Sequence, residues 1–189
     1  MSSISTKRGD SGKTYTYSGE QVSKSDSIPR ALGALDEVVS VLGIVRSQSE
    51  DLVLKELLLD IQRACFVLGS EMATHPDKCD RLQVRVDESF MSLWETRRDE
   101  LEARVEMPKD FILPGEDPLA AYLDLARCVM RRCEREAVQL VDEGHLQNPL
   151  VLAWLNRMSD FLWLLGRDIE GENMKRVSDR PLPSSDASA

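Results

Sequence analysis

The sequence predicts an all-α protein, a five-helix antiparallel bundle preceded by an extended N-terminal ligand-binding loop. Apolar residues recur at helical spacing from residue 28 onward, strand-like alternation is nearly absent, and short stretches of turn chemistry separate five amphipathic segments. With 189 residues, 42% of them apolar and 30% charged, the chain has the size and balance of one globular domain with a real core.

The first helix is expected where Ser27 and Pro29 offer an N-cap and a first-turn proline, with Leu32, Leu35, Val38, Val39, Leu42 and Val45 along one face. A second, over 51–74, presents Leu54, Leu57, Leu58, Ile61, Cys65 and Leu68, and the turn-forming HPDKCD closes it. A third spans 84–106. The fourth follows the punctuation PGEDP and runs through Ala120, Leu123, Ala126, Val129 and Ala137 toward Gly144, a C-terminal cap. The fifth, over 149–168, is apolar almost all round (Leu152, Trp154, Leu155, Met158, Phe161 to Leu165), the pattern of a helix buried on most sides. Three regions follow: an N-terminal loop segment 1–27, the bundle 28–175, and a tail 176–189 with too few apolar residues to fold.

Composition narrows the function. A formal charge of −9 opposes nucleic-acid and anionic-membrane surfaces, where Lys and Arg must replace counterions, but leaves room for one small anion held by local charge. No apolar run reaches the roughly 18 to 20 residues of a membrane-spanning helix. Cys65, Cys79, Cys128 and Cys133 show no CxxC spacing, and the opening residues lack an apolar signal core, so reduced thiols and a cytoplasmic location are expected. The two histidines, His75 and His145, supply neither a di-iron pair nor a zinc cluster, and no metal site within the protein is predicted.

Four segments carry chemistry. In TKRGDSGKTYTYSGEQVSK, Gly9, Gly12 and Gly19 permit close backbone approach, while Lys7, Arg8, Lys13 and Lys24 can neutralise phosphate. The same composition describes a flexible arm. In ARCVMRRCERE, Arg127, Arg131 and Glu134 share a helix face with Asp124; guanidinium groups suit a triphosphate, and a solvated, salt-bridged face is the alternative. In LNRMSD, Asn156, Arg157 and Asp160 interrupt an apolar helix and need partners, either a ligand or an internal network that sets register. In DFILPGEDP, Phe111 and Ile112 enter a turn, where an apolar side chain can plug the bundle end. Asp36, an acid on the apolar face of LGALDEVVS, wants a basic partner.

TKRGDSGKT, LDEVVSVLG, LGSEMAT, FILPG, ARCVMRRCER and LNRMSD, in order over about residues 5 to 170, resemble the motif set of the PduO-type ATP:cob(I)alamin adenosyltransferases. The resemblance implies a five-helix bundle acting as a homotrimer, with ATP, Mg2+ and cob(I)alamin meeting between subunits. Thr6, Gly9, Asp10, Gly12, Thr14 and Lys24 match the loop that wraps ATP, and Lys7 and Lys13 lie within it. Arg131 and Asn156 match nucleotide contacts, and Glu134 a family acid. Arg127 would pair with Asp36 of the next subunit. Phe111 matches the aromatic residue that crowds the lower corrin face, so Arg131, Asn156 and Phe111 stand as the catalytic set. A cobalamin reductase and an adenosylcobalamin-dependent enzyme are the implied partners. The chain departs from the family pattern at Lys13, Val39, Glu116, Asp124 and Gly166. Glu116 and Asp124 place extra negative charge near the proposed site, and together with Val39 they motivate the alternative of a non-catalytic corrinoid- or nucleotide-binding module.

Overall fold

A computed structural model describes residue 5 and residues 7–180. Five α-helices dominate: α1 (Ser27–Gln48), α2 (Leu52–Met72), α3 (Glu88–Glu102), α4 (Pro118–Asp142) and α5 (Pro149–Glu170). α1 packs on α2 and α4, α4 on α5, and α5 on α3. Residues 49–51 and 143–148 are the short links that reverse the chain between packed neighbours, as a bundle requires. The fully buried layer runs through Val38, Leu42, Leu58, Ile61, Leu123, Met130, Leu155 and Met158. An aromatic cluster closes the α3–α5 seam, with Trp94 edge-on to Trp154 at 5.9 Å and to Phe161 at 6.2 Å.

Short polar side chains start four helices. Asp51 accepts from Val53 N and Leu54 N, Asp87 from Phe90 N, Asp117 from Leu119 N and Ala120 N, and Asn148 from Leu150 N. Pro118 and Pro149 follow two of these caps, where a missing N–H costs nothing. Gly144, at φ 77, ends α4 in the left-handed conformation expected of it, and His145 N and Leu146 N turn back to Leu140 O.

Several expectations are corrected. The residue before α1 is Asp26 rather than Ser27, and its carboxylate accepts from Ser23 N at 2.8 Å instead of capping the helix; Ser27 is buried and donates to Glu143. α3 is shorter than 84–106 because Asp87 caps it late, leaving Val86 buried outside the helix. HPDKCD includes a 3-10 turn, Pro76–Arg81. α5 is buried on most sides as its pattern implies, but Asn156 and Asp160, read as polar interruptions within the buried surface, are exposed. Among the described residues four short strands form two antiparallel pairs, β1 (Lys13–Tyr15) with β2 (Gln21–Ser23) and β3 (Ile112–Leu113) with β4 (Lys175–Arg176). Thus the segment assigned to an unfolded tail opens with Arg176 in a strand, followed by a 3-10 turn, Val177–Asp179; residues 181–189 lie outside the described part.

Candidate functional site

The N-terminal loop is shaped by backbone conformation. Gly12 (φ 76) and Gly19 (φ 90) occupy the left-handed region that side chains disfavour, and Lys7 also takes a positive φ of 58. A Cβ at Gly9 would lie 2.8 Å from Lys24 Nζ, so glycine there lets the lysine fold over the turn. Lys24 N donates to Gly12 O at 2.9 Å, and Thr14 pairs with Val22 across the hairpin. Gly9, Asp10, Gly12, Lys13, Thr14 and Lys24 are therefore one compact unit. Lys7, Lys13 and Lys24 are all exposed. Thr6 lies outside the described residues.

The second cluster is the open α4–α5 face. Asn156 Nδ2 donates to Glu134 Oε1 at 3.1 Å, joining the two helices, and Arg131 stands one turn before Glu134, exposed and without a hydrogen-bond or ion-pair partner for its guanidinium among the described residues. Helical spacing put Arg131 and Glu134 on one face of α4, but did not place Asn156 beside them or open to solvent. Arg157 departs from it, pairing with Glu95 of α3 at 3.0 Å.

Phe111 is 82% exposed. Instead of plugging the bundle end, it projects from a turn held by two elements: Asp110 Oδ1 accepts from Phe111 N at 2.7 Å, and Val177 N donates to Phe111 O at 2.9 Å beside the β3–β4 pair. Gly115, at φ 134, makes the turn possible. Glu116 is exposed on the same turn.

Asp124 behaves differently from its sequence reading. It is buried, and its carboxylate meets Arg167 Nη2 at 2.5 Å and Arg127 Nε at 3.3 Å. Its charge is therefore met inside the protein rather than added to the open face. Arg167 also reaches Glu170 at 3.1 Å and lies over the Trp163 ring at 5.5 Å. The trio Asp124, Arg167 and Glu170 is almost wholly buried, and residue-type reasoning missed it. Its signal was positional: Arg167 follows Leu164 by three residues and Glu170 follows by three more, which continues the buried side of α5. Glu71 was missed in the same way. Buried on α2, it accepts from Val86 N and from Asn148 Nδ2, tying the α2–α3 connection to the cap of α5.

Burial pushes the Glu170 carboxyl above its usual range, against the attraction of Arg167. A raised folded-state pKa means that the folded chain holds more protons than the unfolded one, starting near the ordinary carboxylate value. Stability conferred on the protonated form is then lost as pH rises from about 4.5 through the raised value. Glu170→Gln is expected to flatten that decline, which thermal unfolding across pH 4 to about 8 measures; an unchanged slope contradicts it.

Among the described residues no three His, Cys, Asp or Glu side chains group to hold a metal ion, no helix is long and apolar enough to cross a membrane, and all four cysteines are free thiols. Burial raises the Cys133 thiol to about 12, which leaves it inert.

The family model described as Cobalamin adenosyltransferase matches residues 4–169. The corrinoid adenosyltransferase of Citrobacter freundii is 31% identical over 167 residues, 88% of this chain and 94% of that protein. The corrinoid adenosyltransferase PduO of Salmonella typhimurium is 34% identical over 164 residues, 87% of this chain, which spans about half (48%) of that longer relative. A solved variant of the PduO-type ATP:corrinoid adenosyltransferase from Lactobacillus reuteri, complexed with cobalamin and ATP, superposes with a TM-score of 0.83 at 32% identity, covering 92% of this chain and 97% of that one. The motif order, the helical bundle and these matches agree, and the chain belongs to the cobalamin adenosyltransferase family.

Proposed function

We propose that this chain transfers the 5′-deoxyadenosyl group of ATP to the cobalt of cob(I)alamin, releasing triphosphate. The observation that carries the reading is the open α4–α5 face, where Arg131, its guanidinium without a partner among the described residues, stands beside the Glu134–Asn156 bond in a chain of this family. Cob(I)alamin supplies the electron pair: a Co–C5′ bond forms, the C5′–O bond breaks, and its electrons leave with triphosphate. No protein nucleophile is needed. The protein's part is to orient the two substrates and to stabilise the departing anion with fixed cations, Arg131 above all, with Lys7, Lys13 and Lys24 from the loop. Mg2+ is proposed to arrive with the nucleotide as its counter-ion, since the described residues offer no cluster of their own for it.

Distance supports a site shared between subunits. The loop abuts the end of α4, with Ser27 bonded to Glu143, whereas the Phe111 turn leads into the start of the same helix. α4 has 25 residues, about 37 Å at the usual helical rise. One chain's loop and its own Phe111 therefore lie toward opposite ends of α4, an arrangement that suits a homotrimer with the loop of one subunit facing the α4–α5 face of the next. Asp36, exposed and with no side-chain partner among the described residues, suits the role of reaching Arg127 of the partner subunit, whose guanidinium uses only part of its donor set on Asp124. Phe111, already held out in solvent, would press on the lower face of the corrin and exclude a competing axial ligand.

The placement of the departures supports an enzyme over a binding module. Asp124 is neutralised internally, Glu116 points to solvent, and Val39 packs against the core. A reductase that supplies cob(I)alamin and an enzyme that uses adenosylcobalamin are the partners this chemistry requires, and the cytoplasm, where thiols stay reduced, is the proposed compartment. Anaerobic incubation with ATP, magnesium and chemically reduced cobalamin is expected to give the light-sensitive adenosylated product over many turnovers, followed by absorbance. Binding of both substrates without product would overturn the catalytic reading.

A further inference from the structure

The hairpin that carries the nucleotide loop has two three-residue strands, and an isolated pair of that size is marginal in water. Packing does not compensate, for Tyr17 at its tip is 74% exposed and Tyr15 59%. What holds the tip is polar. Tyr17 N donates to Ala73 O at 3.1 Å, His75 N donates to Ser18 Oγ at 3.0 Å, and Lys78 Nζ donates to Ser18 O at 3.1 Å. Glu20 gathers these contacts: its carboxylate takes Lys78 Nζ, the Ser18 hydroxyl and, at 2.6 Å, the Thr16 hydroxyl, while Glu20 N returns a bond to Thr16 Oγ1 at 3.1 Å. The Lys78 bond and the two hydroxyls hold the Glu20 carboxyl well below the usual carboxylate range, so the carboxylate stays ionised.

We propose that Lys78 and Glu20 form a clasp that keeps the nucleotide loop in its binding shape, which makes Lys78 a positioning residue for ATP although it lies 58 residues from its partner in the chain. The inference rests on the reading of the loop as the ATP site. Neither residue belongs to the loop face built by Gly9, Gly12 and Lys24; the connection runs through the β1–β2 register, in which Lys13 faces Ser23 and Thr14 faces Val22. Breaking the clasp frees the tip, and ATP must then select the ordered loop from a broader ensemble. The apparent affinity falls by the fraction of chains in which the loop is formed.

Binding of Mg-ATP to the full chain, measured by calorimetry without corrinoid, tests this. Lys78→Ala is expected to raise the Kd for ATP about tenfold, the effect of a competent fraction reduced to roughly a tenth. Lys78→Arg, which keeps the charge and reach, should stay within about twofold, and Glu20→Gln should follow Lys78→Ala. In turnover the rise belongs to the KM for ATP, with kcat and the KM for cobalamin nearly unchanged. An unaltered Kd for ATP in Lys78→Ala, or equal losses for ATP and cobalamin, overturns the clasp. Lys24→Ala separates the two ideas: weaker ATP binding there but not in Lys78→Ala removes the clasp alone, whereas insensitivity of both removes the loop assignment with it.

Discussion

Arg131→Ala is expected to cut turnover by about a hundredfold or more while leaving the fold intact, because one fixed cation aimed at a departing anion is worth on the order of 10² to 10³ in rate. The structural half of the statement comes from exposure. Its guanidinium has no partner among the described residues and stands outside the core, so its removal should alter stability by no more than about 0.5 kcal/mol. Arg131→Lys keeps a positive charge but loses the planar fork, and an intermediate rate is expected. Steady-state kinetics with reduced cobalamin, paired with a thermal melt, reads both quantities. Undiminished turnover would remove Arg131 from the machinery. Loss of activity with loss of fold would instead make it a structural residue, which its exposure contradicts.

The second large effect is on stability. Arg167 is 1% exposed and lies between two buried carboxylates, Asp124 and Glu170. Arg167→Ala strands both acids, and breaking a buried pair by removing one partner costs about 3 to 5 kcal/mol. For a chain of this size that corresponds to a fall in Tm of roughly 10 °C or more. The triple change Asp124→Asn, Arg167→Met, Glu170→Gln removes all three charges together and is expected to recover most of the loss, since apolar or neutral replacement of a whole buried cluster is often near neutral. A single variant as stable as the parent would show that water reaches the trio. Asp124 ties this cluster to Arg127, so Arg167→Ala should also loosen the side chain proposed to meet Asp36 of the partner subunit.

Much of the architecture was legible because helix signals are local. The 3.6-residue spacing of Leu54, Leu58, Ile61, Cys65 and Leu68 dictates a buried face whatever lies opposite, and PGEDP and Gly144 mark ends through backbone chemistry alone. The ends of α3 were less legible, since Val84 and Val86 look like helix positions until Asp87 caps the helix. Site residues divided along the same line. Arg131 and Glu134 share a face by spacing, and Gly9 and Gly12 mark a loop by residue type, so their local grouping needed no tertiary information.

The pairing between elements needed the folded chain. A period states which residues lie inward but not what they meet, so the partners of Asp124, Glu71 and Glu20, contributed by segments 43, 77 and 58 residues away, were unreadable. The fifth helix made the case most clearly: its pattern signalled burial on most sides, which the structure bears out, but not which side stays open, and its neighbours α3 and α4 leave Asn156 and Asp160 exposed. Sequence alone determined the helical class, the glycine loop and the residue types of the proposed anion site. Tertiary structure decided which charges are met inside the protein and which stand exposed at its surface, because electrostatic partnership depends on distance through space and burial, and neither is encoded in local spacing.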